Sequence, residues 1–221
     1  DVDPTAGSEY KQTKVGETYA YWYMPTWAGV NVNTGLPEWY DKEGKKTSDY
    51  NLAERRFQGI AIPKYSGGLS THLQYKGVFL DASVYFTGGH KVYEQYAQFY
   101  LRTNNFTTVT YNGDAELLNA WQKAGDITDV PKMSYSGDDN FHSTSSRHLY
   151  DGTFARLKDI TLGYEVPSKY LEGTGFDGVT FTLRGTNLYT WVKDSGLKLD
   201  PEVGNKGNTM GYTTLTAPPV K

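Results

Sequence analysis

A chain of 221 residues has room for one large β domain or two small ones, and its 19 tyrosines, 5 tryptophans and 24 glycines favour strands joined by turns and bulges. The absence of cysteine excludes a disulfide framework and a thiolate metal site, and a net charge of −3 with no basic run argues against a nucleic-acid partner. No run of about 20 apolar residues occurs, which excludes a transmembrane helix but leaves transmembrane strands open, since those need only ~9–11 residues with one apolar face.

Along the chain, the opening ten residues are acidic and polar and do not read as a signal peptide. Tyr19, Tyr21, Trp22, Tyr23 and Trp27 then cluster before Gly29. The turn signals Asn33-Thr34-Gly35 and Lys42-Glu43-Gly44 flank residues 36–40 and predict a small hairpin or loop decoration. The clearest alternation follows. Leu69, Thr71, Leu73 and Tyr75 fall on one face, with Ser70, His72 and Gln74 on the other. After a short turn at Lys76-Gly77, Val78, Leu80, Ala82, Val84 and Phe86 form an unbroken apolar face, backed by Phe79, Asp81, Ser83 and Tyr85. Period-two patterning across a tight turn predicts a hairpin. A barrel wall with lipid outside and water inside has this pattern, and so has one sheet of a soluble sandwich.

Residues 90–151 are rich in Tyr, Asn, Ser, Thr and Asp, and Leu117, Leu118 and Trp121 predict a short helix over 115–123. A second strand pair is predicted at 154–164 and 179–192, joined by turn-forming residues 167–178. Ile160, Leu162 and Tyr164 share a face while Leu157 is out of phase, so a bulge is expected near Lys158 and Asp159. In the last run Val179, Phe181 and Leu183 oppose Thr180, Thr182, Arg184 and Thr186, and Gly185 marks a break. Connections thus alternate: short (76–77), long (90–151), short (167–178), then a long tail (193–221). Outer-membrane barrels pair short periplasmic turns with long extracellular loops. The expected fold class is therefore all-β: part of an antiparallel transmembrane β-barrel with long extracellular loops.

Catalytic chemistry finds no motif. His72, His90, His142 and His148 lack metal-ligand spacing, although His142 and His148 sit near Asp138 and Asp139. No nucleophile elbow surrounds Ser145 and Ser146, and the acids around Gly44 lack the calcium-loop pattern. No enzyme activity, metal or cofactor is expected. Tyr75 and Tyr164 at one end of their strands, and Tyr189 and Trp191 at the other, are expected to form the aromatic interface belts of a barrel. His72, Gln74, Asp81 and Tyr85 are expected to face the lumen. Trp22, Trp27, Tyr93, Tyr96, Tyr100 and Trp121 are candidates for stacking on a ligand, with packing of the loops on themselves as the competing use of those rings.

The order of three stretches resembles the SusC/RagA family of TonB-dependent transporters from Bacteroidetes. One is VGETYAYWYMPTWAGVNVNTGLPEWYDKEGK, residues 15–45. A second is IAIPKYSGGLSTHLQYKGVFLDASVYFTGG, residues 60–89, with Pro63, Gly67-Gly68 and the Tyr75-Lys76-Gly77 turn where the family has them. The third is DGTFARLKDITLGYEVP, residues 151–167, followed by LRGTNLYTWVK (183–193) and LDPEVG (199–204). The resemblance implies that residues 1–221 form a C-terminal part of a large barrel, with the N-terminal plug, the TonB box and the final strand lying outside it. It further implies a bacterial outer-membrane location and import of an oligosaccharide or a peptide. The implied partners are a SusD-like surface lipoprotein, TonB and outer-membrane lipid, with no nucleic acid. The alternative is a soluble, surface-exposed carbohydrate-binding β-sandwich. The two part on one point: a sandwich would cover the Val78–Leu80–Ala82–Val84–Phe86 face with a second sheet.

Overall fold

The computed structural model describes residues 10–13, 15–19, 21–95, 97–98, 113–135, 139–202 and 211–213. Strands and short 3-10 turns make up most of the regular structure among the described residues. In chain order the strands are β1 (Lys11–Gln12), β2 (Tyr21–Pro25), β3 (Trp27–Val30), β4 (Pro37–Tyr40), β5 (Lys46–Thr47), β6 (Arg55–Ile60), β7 (Tyr65–Tyr75), β8 (Val78–Gly88), β9 (Lys91–Tyr93), β10 (Leu149–Asp151), β11 (Phe154–Glu165) and β12 (Thr180–Val192). The chain divides into two compact units. The first draws on Asp1–Ile62, His90–Tyr150 and Glu202–Thr216; the second draws on Pro63–Gly89 and Asp151–Pro201.

The first unit holds three small sheets, ordered β1-β2-β6, β3-β4-β5 and β10-β9. The hairpin expected around residues 36–40 is the β3-β4-β5 meander. Its β3–β4 turn is held by Asn31, whose side-chain oxygen accepts from the N–H groups of Asn33 and Thr34. Gly35 follows at φ 69°, with the Trp121 ring directly against it, so no side chain fits there. The core is aromatic: Tyr10, Trp22, Met24, Ala61, Tyr93, Leu149 and Tyr212 form one buried cluster. Trp22 satisfies its ring N–H on the Lys91 carbonyl at 3.1 Å, and Tyr10, Trp22 and Tyr93 pack edge-on or tilted around Tyr212. This is how an aromatic ring with one polar atom is buried at no hydrogen-bond cost.

Residues 115–123 depart from the expected helix. Only a 3-10 turn forms, Ala115–Asn119, capped by the Asp114 carboxylate. Beyond it the backbone is claimed by other partners: Trp121 N–H donates to the Val130 carbonyl, and the Asp126 carboxylate accepts from the N–H groups of Gln122 and Lys123. Tertiary contacts outweigh a weak local helical preference.

The second unit is one antiparallel four-stranded sheet, ordered β12-β11-β8-β7. Its strands run 11, 11, 12 and 13 residues in chain order, long for a globular sheet but matched to a membrane crossing. The β7–β8 turn is Lys76-Gly77, with φ of 49° and 87°. Positive φ at both central residues is the type I′ geometry, whose twist matches that of the flanking strands. The expected bulge is present: the register of β11 slips between Leu157 and Asp159, leaving Lys158 extra against β8, while against β12 two residues, Asn187 and Leu188, oppose Lys158. Gly185 is not a break. It pairs with Ile160 inside a continuous β12, and the irregularity falls at Asn187, whose φ is 51°. The Leu188 side chain lies over Gly185 and fills the space that the missing side chain leaves.

Candidate functional site

Directly paired residues of neighbouring strands point to the same side of a sheet, so the register sorts every side chain of the second unit onto one of two faces. On one face the rows across β7, β8, β11 and β12 read Tyr75–Val78–Tyr164–Phe181, Leu73–Leu80–Leu162–Leu183, Thr71–Ala82–Ile160–Gly185, Leu69–Val84–Leu157–Tyr189 and Gly67–Phe86–Ala155–Trp191. Not one charge lies on it. The bulge at Lys158 is what brings Leu157 and Ala155 onto this face; without the extra residue's displacement they would point to the other side.

This face is bare. Leu73 is 59 % exposed, Leu183 76 % and Phe181 65 %, and Leu69, Tyr75, Val78, Phe86, Leu162, Tyr164, Tyr189 and Trp191 are exposed as well. No second sheet covers it among the described residues, as a soluble sandwich requires. Tyr75 and Tyr164 stand in the terminal row at the short-connection end, beside Phe181, while Tyr189 and Trp191 stand toward the other end. An exposed apolar expanse of this size is a liability in water and a requirement in lipid.

The opposite face is polar. Its rows read Gln74–Phe79–Gly163–Thr182, His72–Asp81–Thr161–Arg184, Ser70–Ser83–Asp159–Thr186, Gly68–Tyr85–Arg156–Thr190 and Ser66–Thr87–Phe154–Val192. The structure places His72, Gln74, Asp81 and Tyr85 together here. His72 Nδ1 lies 2.6 Å from Asp81 Oδ1, and its ring stacks on Phe79 at 6.1 Å. Gln74 donates to Glu165 at 3.1 Å. Asp159 accepts both Arg184 Nε (3.0 Å) and Arg184 Nη2, together with the Thr161 hydroxyl at 3.2 Å. Arg156 bonds Asp200 and the Thr190 hydroxyl. Ser70, His72, Asp81, Ser83, Asp159 and Arg184 line a shallow depression on this face. The tip of the Phe79 ring lies over Gly163, where a Cβ would collide with it.

Asp159, Arg184 and Arg156 are absent from the sequence-derived candidates. Asp159 and Arg184 are 25 positions apart on different strands, and only the register brings them together. The phase of alternation, once the bulge is located, was the signal that could have placed them. Beyond the strands, the start of β11 is clasped to the end of β12. Asp151 accepts from Lys193 Nζ at 2.7 Å, Lys193 N–H donates to Thr153, and Asp151 N–H donates to Asp194. Burial acts to raise the Asp151 carboxyl, but Lys193 and Thr153 outweigh it and hold it at about 2; the same pair raises Lys193.

The loop aromatics sort differently. Trp22 and Tyr93 have no exposed surface and lie in the core of the first unit, so packing leaves no ring face for a ligand. Trp27 is half-buried: its ring N–H donates to Asp129 at 2.8 Å, and its ring meets Trp39, Phe141 and the Arg147 guanidinium. Trp121 covers Gly35 and donates to the Val32 carbonyl. Tyr96 and Tyr100 lie outside the described residues, as does Asp138. Among the described residues no group of three His, Asp or Glu side chains gathers as a metal site would need.

No family model matches the chain. Among curated proteins, TonB-dependent receptor P26 of Formosa agariphila is 32% identical over 222 residues, covering 93% of this chain and 21% of the receptor. TonB-dependent receptor P3 of the same organism is 28% identical over 219 residues, covering 91% of this chain and 20% of the receptor. Among solved structures, the RagAB peptide importer in its closed-closed state superposes with a TM-score of 0.67 at 29% identity, over 86% of this chain and 21% of the matched one. A second RagAB peptide transporter structure gives 0.68 at 28% identity, over 86% and 20%. The chain thus spans about a fifth of the length of the relatives it matches.

Proposed function

Since this chain belongs to the TonB-dependent receptors of the SusC/RagA type, which are proteins of the bacterial outer membrane, we propose that its four-stranded sheet is a stretch of the receptor's transmembrane wall. The apolar rows face lipid, and the His72–Asp81 and Asp159–Arg184 row faces the lumen. The whole protein imports a nutrient, an oligosaccharide or a peptide, with energy delivered by TonB and with a SusD-like surface lipoprotein as partner. The structural neighbours are peptide importers by name, which favours a peptide. In this reading Tyr75 and Tyr164 sit at one lipid–water boundary and Tyr189 and Trp191 at the other, where an amphipathic ring is at home in both media. The aromatics of the first unit hold the loops together, and Trp27 and Trp121, which keep some exposure, remain the described candidates for cargo contact.

The single observation that carries the wall is the bare, chargeless face of five rows, set against a polar face on the same four strands that pairs His72 with Asp81 and Asp159 with Arg184. The test is collision mapping on the full-length receptor in liposomes. Residues 1–221 contain no cysteine, so once any cysteine elsewhere in the receptor is replaced, spin labels at Leu73→Cys and Leu183→Cys, and at His72→Cys and Arg184→Cys, report single positions. The first pair is expected to meet oxygen dissolved in the bilayer more than a water-soluble nickel chelate. The second pair is expected to show the reverse preference. Aqueous contact at Leu73 and Leu183 equal to that at His72 and Arg184 would end the reading.

A further inference from the structure

The short-connection end of the four-stranded sheet carries two lysines poised over tyrosine rings. Lys76 Nζ lies 5.2 Å from the centroid of Tyr75, and Lys169 Nζ lies 4.8 Å from that of Tyr170. All four side chains are exposed. The turn that bears Lys76 touches the end of β11, from which the connection bearing Lys169 departs: Glu165 N–H donates to the Gly77 carbonyl at 2.7 Å, and the Glu165 carbonyl sits so close to Gly77 that no side chain fits between. Immediately along the apolar face come the row Tyr75–Val78–Tyr164–Phe181 and then four leucines, Leu73–Leu80–Leu162–Leu183. Leu73, Tyr75, Lys76, Val78 and Leu80, together with Gln74 and Phe79 of the polar face, border one open groove here, about 510 Å³ in volume. Of the acids nearby, Glu165 is turned to the polar face, where it accepts from Gln74. Glu172 and Asp177 lie further along the β11–β12 connection.

We propose that this end of the wall is a seat for an anionic phospholipid, with its acyl chains on the leucine row and its phosphate charge at Lys76 and Lys169. The proposal rests on the wall reading above. An ammonium at a lipid–water boundary draws anionic headgroups. The tyrosine beneath each ammonium holds it at headgroup height and keeps it from extending freely into water. A zwitterionic headgroup brings its own ammonium and gains less from the two lysines.

The experiment places the full-length receptor in phosphatidylcholine vesicles containing a trace of spin-labelled phosphatidylcholine or spin-labelled phosphatidylglycerol. The fraction of motionally restricted lipid is read by electron paramagnetic resonance. The receptor is expected to restrict phosphatidylglycerol severalfold more effectively than phosphatidylcholine. The K76Q/K169Q variant is expected to lose that preference while restricting as much phosphatidylcholine as before. K158Q, whose lysine reaches over the Tyr85 ring on the polar face, is expected to keep it. An undiminished preference in K76Q/K169Q overturns the proposal and leaves the wall intact. Absence of any restricted lipid in the unaltered receptor overturns the wall itself. Loss of the preference on adding inorganic phosphate overturns the lipid seat in favour of a phosphate site.

Discussion

Two residues of the first unit carry more than their share. Arg147 is almost fully buried, yet it donates to Glu116 at 2.7 Å and twice to the Asp129 carbonyl. Its guanidinium also lies over the rings of Trp27 and Phe141, so a single side chain gathers segments from four stretches of sequence. Arg147→Ala is expected to cost about 2–3 kcal/mol locally, because Glu116 and the Asp129 carbonyl lose their partner. Hydrogen exchange over residues 113–135 of the receptor is the measurement, with faster exchange expected; Arg147→Lys, which keeps charge but not the fork, should fall between. Lys11 is the second case. Its ammonium sits 4.5 Å from the Trp22 ring and 4.3 Å from that of Tyr212, and burial lowers it from 10.5 to about 8. Between pH 8 and 10.5 the folded chain has shed a proton that the unfolded chain keeps. Stability therefore rises with pH across that window and is lost as pH falls through 8. Exchange protection of residues 10–24, corrected for the intrinsic rate, should climb over this range in the natural chain and stay level in Lys11→Met.

At the scale of the element, the sheet is governed by phase. β11 keeps Ile160, Leu162 and Tyr164 on the apolar face with Leu157 and Ala155 only because Lys158 is looped out of register. Deleting Lys158 removes the bulge against β8 and leaves β11 a simple alternation, so the receptor should still assemble in the membrane. Deleting Thr161 instead turns the apolar half of the strand toward the polar face and should block assembly. Heat-modifiable migration on gels separates the two outcomes. Ile160 stands in the central row, where an arginine would sit near the bilayer midplane. Ile160→Arg is expected to destabilise the folded receptor by ~2–4 kcal/mol in liposome refolding titrations. The same change at Tyr164, in the terminal row, should cost far less.

For the whole molecule, a receptor of this type should lose uptake of its cargo when its gene is deleted, and equally when TonB is removed. Uptake that persists without TonB would contradict the energised import proposed above. The wall itself was readable in the amino-acid order. Period-two alternation at residues 69–86, the Lys76-Gly77 turn and the out-of-phase Leu157 specify hairpin, face and bulge, because strand geometry repeats every two residues and a buried or lipid-facing side tolerates no slip. Gly185 misled, since glycine in a strand signals either a break or a close approach, and only the packing of Leu188 over it decides between them. The loops were far less legible. Trp22 and Tyr93 have the same composition as a ligand platform, and their complete burial follows from partners at Ala61, Leu149 and Tyr212, far off in the chain. The sequence by itself determined the alternating strands and which side chains each strand presents to either face. The tertiary structure alone decided that Asp159 meets Arg184, that the apolar rows stay bare among the described residues, and which aromatic rings are spent on packing, since these depend on contacts between distant segments that no local period encodes.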